Sequence, residues 1–399
     1  MAMSTESKSV RQLERICGEA KLVAVHDGSR IVDAYFLALN PVRGFEKLVL
    51  GKSPLFVLEA VKRICGVCHA AQAIASAEAF EDAMGIVPPP NGRTLREVIG
   101  LINRVQSHLF HLILILRDIV RIEALNSLMV ECIRLLNEVN EVMMRIGGAP
   151  THPTNISIGG VAKIPTEASL KESMRKVNEI RKRFRSLQED VMSSESDFEK
   201  LSMLRKYGLP DGVQPIASHP FYGDRYSIDV ECVNVVRYEE YRDIAIDVEH
   251  RPTSMIALYN KQVVEVGPRA RLELFREYAD RSLLSLQQAR FVEVDLALQR
   301  ISELLGRVNT TAPAKTVGIV RGPGKGVGVF EAPRGVLIHY VELDGEGRVK
   351  SYRIVVPTMF NIPVIERTLR GLPLELADVV PRLFDPCIPC STHLVKVGA

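Results

Sequence analysis

The sequence predicts a mainly α-helical protein with peripheral β-hairpins, an α+β fold. Residues 94–146 and 166–207 carry Leu, Ile and Val at three- and four-residue spacing, which is the period of helices that bury one or more faces. Residues 21–39 and 335–356 instead alternate apolar and polar side chains on both sides of a turn sequence. Together these patterns indicate a helical core flanked by hairpins.

The N-terminal part of the chain is predicted to contain one hairpin and one helix. Residues 21–39 are predicted to form a hairpin that turns at Asp27-Gly28, because this dipeptide suits the tight turn between two strands. Residues 55–84 are predicted to form one helix. That helix should end near Gly85, before the three prolines at 88–90.

The helical core follows. Residues 94–146 are apolar on more than one face, as in the middle of a bundle, whereas residues 166–207 are more charged and fit an outer layer. Helix is also predicted for residues 238–305, with an interruption at 264–268. Three further segments are rich in Gly, Pro or turn residues and are predicted to be irregular or turns: residues 147–165, 209–224 and 344–347.

We expect a single domain over residues 1–399. It divides into an N-terminal β-hairpin segment (1–54), a helical core (55–330) and a second hairpin followed by a C-terminal segment (331–399).

Composition restricts the possible function classes. The 399 residues are 46% hydrophobic and carry a net charge of +3, and no basic run is interleaved with aromatic residues, so we expect no nucleic-acid partner. The N-terminus has no apolar signal core, and the most apolar run is interrupted by His111, Arg117 and Asp118. We therefore predict a cytoplasmic protein, which a partner subunit could bring to a membrane.

Two Cys-x-x-Cys pairs lie near opposite ends of the chain, at Cys65 and Cys68 and at Cys387 and Cys390. Each spacing lets two thiolates turn toward one metal, so both pairs together can supply a four-sulfur site. A structural zinc site or two redox dithiols would show the same spacing, although zinc ribbons hold their pairs about 15–20 residues apart. On spacing alone, these alternatives stay open.

The residues around the cysteines narrow the choice. The segments read Arg-Ile-Cys-Gly-Val-Cys at 63–68 and Asp-Pro-Cys-Ile-Pro-Cys-Ser-Thr-His at 385–393, and they resemble the two signatures of nickel–iron hydrogenase large, catalytic subunits. Other segments resemble the same family, in the same order along the chain: residues 43–46, 107–111, 152–160, 266–271, 332–335 and 356–361. The resemblance covers nearly the whole chain, and its length suits a compact cytoplasmic member.

This resemblance implies an enzyme that cleaves hydrogen reversibly and heterolytically into protons and electrons. Cys65 and Cys387 would be terminal thiolates on nickel, while Cys68 and Cys390 would bridge nickel to an iron that bears carbon monoxide and cyanide. Cys387 would also be the first proton acceptor. Soft thiolates suit such a metal pair.

Three further residues are implied near this centre. Arg334 would place its guanidinium over the open coordination position, and Asp118 and Asp385 could pair with that guanidinium or its surroundings. A surface ion pair is the alternative for Arg334. An ion pair on the helix face with Arg117 or Arg121 is the alternative for Asp118.

Glu46 and His393 match family positions that hold magnesium, or occasionally iron, near the C-terminus, and carboxylate-rich sites suit magnesium. His108 and His111 lie at i and i+3 on one predicted helix face. For these two we predict buried imidazoles that hydrogen-bond to core neighbours.

The sequence departs from the family at two places. The family's N-terminal signature has a glutamate that serves as proton exit, whereas residues 15–19 read Arg-Ile-Cys-Gly-Glu, so Cys17 or Glu19 would have to relay protons. Gln72 stands where the family often has a histidine after the first cysteine pair. The hydrogen bonding around the metal centre, and with it the electronic properties of the metals, should therefore differ from those in the family.

The resemblance also implies partners. Cys17, Cys132 and Cys232 are isolated, so electrons should leave through an iron–sulfur small subunit, with a flavin-containing electron-transfer subunit as a further partner. Maturation factors would load the metals, and whether the tail after His393 is cleaved stays open. The alternatives are a hydrogen-sensing or low-turnover regulatory homologue, a quinone-reducing subunit of respiratory NADH dehydrogenase, and a zinc-stapled structural protein.

Overall fold

A computed structural model describes residues 6–194, 199–243, 251–318 and 321–392, and it confirms the mainly helical fold with small sheets. The helices are α1 Phe45–Leu48, α2 Pro54–Val61, α3 His69–Met84, α4 Pro90–Ile119, α5 Ile122–Gly147, α6 Glu167–Ser193, α7 Glu199–Lys206, α8 Tyr238–Tyr241, α9 Pro268–Arg276, α10 Ser285–Leu305, α11 Pro357–Leu369, α12 Val379–Leu383 and α13 Ile388–Ser391. The strands are β1 Ser7–Leu13, β2 Ala20–His26, β3 Ile31–Ala38, β4 Ile156–Ser157, β5 Gly160–Val161, β6 Gln214–Pro215, β7 Val233–Arg237, β8 Met255–Tyr259, β9 Val264–Glu265, β10 Gly324–Ala332, β11 Gly335–Leu343 and β12 Val349–Val355.

The helical core is a bundle in which α4 packs on α5 and α10, and α6 packs on α5 and α10. The predicted segment 94–146 becomes two helices because Val120 and Arg121 have extended backbone conformations. By length and composition α4 could cross a membrane, but 83% of its most apolar window is buried inside the protein. Burial inside the protein therefore explains the apolar character of α4, which is the central helix of the core.

The outer position predicted for residues 166–207 is confirmed for α6. Leu170, Val177, Ile180 and Phe184 form its buried stripe at helical spacing. The opposite face carries charged side chains, such as the exposed Arg175, which is paired with neighbouring glutamates. This helix closes the bundle on its solvent side.

Two three-stranded antiparallel sheets flank the core, in the orders β1-β2-β3 and β10-β11-β12. Both predicted hairpins are confirmed as β2-β3 and β11-β12, while β1 and β10 were not predicted. Strand β10 lies directly on α3, since a Cβ atom added at Gly326 would lie 2.1 Å from the backbone oxygen of Ala79. Its alternate glycines allow that close approach.

Two helix predictions were wrong. The helix predicted over 55–84 stops after α2, and Cys65 adopts an extended backbone before α3 begins at His69. Within 238–267, the described residues form only the short α8, followed by β8 and β9. The first break matters for the site, because it places the Cys65–Cys68 segment in a loop at the start of α3.

The two ends of the chain meet beside that loop. Cys17 and Cys387 form an isolated parallel β-bridge, and the backbone N–H of Ile388 donates to the Cys17 carbonyl oxygen over 2.8 Å. The backbone N–H of Ile31 likewise donates to the Leu372 carbonyl oxygen at 2.9 Å. These contacts bring the C-terminal cysteine pair onto the N-terminal one.

Candidate metal centre

The four paired cysteines form one cluster. The Sγ atoms of Cys65 and Cys387 lie 3.3 Å apart, those of Cys68 and Cys390 lie 3.2 Å apart, and those of Cys387 and Cys390 lie 3.1 Å apart. All four sulfurs lie within 4.8 Å of one another, and all four residues are buried. The predicted meeting of the two distant pairs is therefore what the fold produces.

Local backbone structure aims each pair inward. In the first pair, the Val67 N–H donates to Cys65 Sγ over 3.2 Å, which curls the loop around that sulfur. In the second, Cys387 is the N-cap residue of α13, and its N–H donates to Thr358 Oγ1 at 3.0 Å. Cys68 is likewise the N-cap residue of α3, so one cysteine of each pair stands at the start of a helix.

The donor set fits a bound metal. The pKa of the Cys390 thiol is well above its ordinary value, because hydrogen bonds with Cys387, Cys65 and Cys68 hold the proton and burial disfavours the thiolate. Four thiolates in such a dry pocket need a cation beside them, and soft sulfur donors select transition metals. These residues can therefore hold a metal centre with all-sulfur protein ligation.

Arg334 is buried beside this cluster, at the turn between β10 and β11. Its Nε donates to the Asp385 carbonyl oxygen at 2.6 Å, its Nη2 to Asp385 Oδ1 at 2.8 Å, and its Nη1 to Ser107 Oγ at 3.1 Å. Burial opposes the charge, but Asp385 and the neighbouring cysteine thiolates raise the pKa of Arg334 well above its usual value. The predicted pairing with Asp385 is confirmed, and the surface alternative is wrong.

Asp385 stays ionised in this pocket. Burial opposes its charge, yet Arg334 and His111 outweigh burial and hold the pKa of its carboxyl well below the usual range. His111 Nδ1 lies 3.3 Å from Asp385 Oδ1. The sequence pattern does not indicate Ser107 as a partner of Arg334, although Ser107 lies one helical turn before His111 on α4.

The prediction for the two helix histidines is confirmed. His108 Nε2 lies 2.9 Å from Glu293 Oε2, and both His108 and His111 are buried. Burial lowers the pKa of His108 to about 4, so it is neutral at pH 7. Glu293 also binds Arg271, which binds Glu331 in turn. No sequence pattern indicated this buried charge cluster, because its members are distant in the chain.

Asp118 does not contact Arg334. Its carboxylate accepts hydrogen bonds from Arg15 at 2.9 Å and from Arg382 at 2.9 and 3.0 Å. Direct pairing of Asp118 with Arg334 is therefore wrong, and so is the alternative pairing with Arg117 or Arg121. Pairing in the surroundings of Arg334 is confirmed, because the carbonyl oxygen of Arg382 accepts a hydrogen bond from the backbone N–H of Asp385 at 2.9 Å. The Asp118 carboxylate thus joins the N-terminal segment, through Arg15, to α12, through Arg382.

The two proton-relay candidates differ in position. Cys17 Sγ lies 3.7 Å from Cys387 Sγ and is partly buried. Glu19 is exposed, and its backbone N–H donates to Asn40 Oδ1 over 2.8 Å. Only Cys17 is thus in contact with the cluster through its side chain.

The remaining predicted residues are Glu46, His393 and Gln72. Glu46 is buried in α1 and lies close enough to raise the pKa of Tyr352 electrostatically, although burial is the larger cause. His393 lies outside the described residues. Gln72 is buried, and its Oε1 lies 2.8 Å from His339 Nε2. An imidazole is therefore present near this helix, but it comes from β11 instead of α3.

Comparisons with known proteins agree with this geometry. The sequence profile of the family described as nickel-dependent hydrogenase matches residues 43–128 and 310–393. The coenzyme F420 hydrogenase subunit alpha of Methanothermobacter thermautotrophicus is 34% identical over 391 residues, covering 95% of this chain and 93% of that protein. The chain belongs to the nickel-dependent hydrogenase family. Sulfhydrogenase 2 subunit alpha of Pyrococcus furiosus is 27% identical, covering 97% of this chain and 98% of that one.

Solved hydrogenases share the fold. The Ni-Fe-Se hydrogenase from Desulfovibrio vulgaris Hildenborough superimposes with a TM-score of 0.81, covering 97% of this chain and all of that one, at 24% identity. A hydrogenase of this family is an oxidoreductase acting on hydrogen, and this chain is its catalytic subunit. The hydrogen-sensing alternative has no support among these relatives.

Proposed function

We propose that the four buried cysteines hold a nickel–iron centre whose iron bears carbon monoxide and cyanide. Cys65 and Cys387 would bind nickel, and Cys68 and Cys390 would bridge the two metals. The observation that carries this proposal is the joint cluster of four sulfurs within 4.8 Å of one another. When bound, such a centre supplies an open position for hydrogen and takes up its electrons.

Arg334 would act at the position where hydrogen binds beside that cluster. Asp385 and Ser107 hold its guanidinium in one orientation, so its charge is fixed in a buried pocket before the reaction begins. A preorganised cation in a dry site stabilises developing negative charge at no reorganisation cost. Asp385 is a positioning residue in this scheme, because it acts through Arg334.

Proton transfer would begin at Cys387 Sγ. Cys17 Sγ lies 3.7 Å from it and is the better placed of the two predicted relays, since Glu19 is exposed. The thiol of Cys17 would pass the proton toward the surface at the N-terminal segment. Replacing Cys17 with serine should then slow hydrogen–deuterium exchange while nickel is retained.

A magnesium ion, with iron as the alternative, is proposed at Glu46 and His393. Glu46 is a buried carboxylate, and hard oxygen donors suit magnesium. Removal of this ion by Glu46→Gln should lower the stability of the C-terminal segment. Magnesium or iron analysis of purified wild-type and Glu46→Gln complexes tests the assignment.

The complex would be hetero-oligomeric and cytoplasmic, with an iron–sulfur small subunit as direct partner. Four exposed apolar side chains lie in the segment of the chain that precedes the first cysteine pair: Val42, Leu48, Leu55 and Phe56. Exposed apolar side chains of this kind suit an obligate interface. Maturation factors would insert the metals before that interface closes.

We propose a deazaflavin of the F420 type as electron acceptor, reached through a flavin-containing subunit. The support is the identity to coenzyme F420 hydrogenase alpha subunits, 34% in two methanogens, compared with 27% for sulfhydrogenase 2. Hydrogen-dependent reduction of F420, NAD(P)⁺ and polysulfide by the purified complex distinguishes these acceptors. Preferential reduction of NAD(P)⁺ or polysulfide would refute the assignment.

A further inference from the structure

A fifth sulfur touches the cluster. Cys17 Sγ lies 3.7 Å from Cys387 Sγ, within the range of an S–H···S hydrogen bond. Cys17 is only partly buried, unlike the four cysteines of the cluster, and it is not among the four sulfurs that lie within 4.8 Å of one another. It is therefore beside the metal-binding set and outside it.

The backbone fixes this contact. The Ile388 N–H donates to the Cys17 carbonyl oxygen, so Cys17 is held directly against the start of α13. Gly18 has φ of +103°, and a Cβ atom there would lie 2.5 Å from Asn40 Oδ1 and 2.7 Å from Pro389 Cδ. Only glycine permits this close approach, because a side chain at residue 18 would collide with Asn40 and Pro389. The glycine that follows Cys17 therefore allows Cys17 to lie against the start of α13.

The direction of the hydrogen bond follows from the chemistry of a loaded site. A metal-bound Cys387 is a thiolate and can only accept, so the proton between the two sulfurs must belong to Cys17. Arg334, the nearby cation, already directs its donors to Asp385 and Ser107. No other described side chain donates a hydrogen bond to Cys387 Sγ from outside the cluster.

We propose that Cys17 is a positioning residue that donates an S–H hydrogen bond to Cys387 Sγ and so sets the electron density on that metal ligand. This inference rests on the proposed nickel–iron centre. A hydrogen bond to a ligand sulfur withdraws charge from the metal and raises its potential. The hydrogen bond from Cys17 therefore changes the potential of the metal centre even when no proton is transferred.

The experiment uses the purified complex with wild-type, Cys17→Ala and Cys17→Ser chains, and Cys232→Ser as a control at a distant, partly exposed cysteine. Infrared bands of the carbonyl and cyanide ligands and nickel content are measured. Cys17→Ala should keep its nickel and shift the carbonyl band to lower frequency, because the thiolate becomes more electron-rich. Cys17→Ser should restore the band toward wild type, since its hydroxyl can donate.

Gly18→Ala gives an independent variant. It keeps the thiol but pushes the segment away from Pro389, so it should shift the band in the same direction as Cys17→Ala. Identical bands in wild type and Cys17→Ala would overturn the inference, and so would loss of nickel in Cys17→Ala, which would make Cys17 a ligand. Absence of carbonyl bands from the wild type would instead overturn the proposed centre itself.

Discussion

Replacing Arg334 with lysine keeps one positive charge in the pocket but removes the planar fork that orients it. The guanidinium now makes three hydrogen bonds, two to Asp385 and one to Ser107. A lysine ammonium on a flexible stem cannot reproduce this set. Loss of one preorganised group of this kind costs about 10²–10³ in turnover, or about 3–4 kcal/mol of transition-state stabilisation.

We therefore expect Arg334→Lys to lower hydrogen uptake per nickel by about 10²–10³. The assay is dye-coupled hydrogen oxidation by the purified complex, normalised to its nickel content. Arg104→Lys is the matched control, because Arg104 is equally buried but donates to the backbone oxygens of Pro220, Phe221 and Glu331. The control should lose stability and keep its turnover per nickel. Turnover of Arg334→Lys within a few-fold of wild type would refute the assigned role.

Three further substitutions test the site and the fold. Cys65→Ser should abolish nickel retention, whereas Cys132→Ser, at a buried cysteine outside the cluster, should leave it unchanged. Metal analysis of the two purified variants measures the difference. Nickel in both variants would contradict the assignment of Cys65 as a ligand. Gly326→Ala places a Cβ atom 2.1 Å from a backbone oxygen of α3, so it should lower the free energy of unfolding by about 1–3 kcal/mol in denaturant titrations. Gly345→Ala is the control, because its Cβ atom would lie in open space and should change the free energy of unfolding little. Equal effects of the two substitutions would contradict the packing of β10 on α3. Burial raises the pKa of Glu366 to about 7, so the folded state holds this proton more tightly than the unfolded chain does. The free energy of unfolding should therefore fall as the pH rises from about 4.5 to about 7. Glu366→Gln should flatten this pH dependence, and an unchanged slope in the variant would contradict the role of Glu366.

The sequence predicted the hairpins and the core helices because their periodicity is strong, and it missed strands whose patterns are weak. Strand β1 is exposed along most of its length and buries only Leu13 fully, so its alternation carries little apolar signal. Strand β10 has glycine at 324, 326 and 328, which lowers its strand propensity, yet α3 requires those glycines. In both cases a tertiary neighbour, and not local propensity, determines the strand.

At the site, the four cysteines and the pairing of Arg334 with Asp385 could be predicted, since the residues around them carry a specific pattern. The partners of Asp118 could not, because Arg15 and Arg382 are far from it in sequence and reach it only after the chain ends meet. The contact of Gln72 with His339 depends in the same way on β11 packing against α3. Local helix propensity also could not show that the chain breaks at Cys65.

The most direct test of the central claim is metal analysis of the natively purified complex together with its infrared spectrum in the metal-carbonyl region. The proposed nickel–iron centre predicts nickel and iron in the catalytic subunit, with carbonyl and cyanide bands, and loss of those bands when Cys68 or Cys390 is replaced by serine. Zinc without such bands, in a complex that is otherwise intact, would contradict the account.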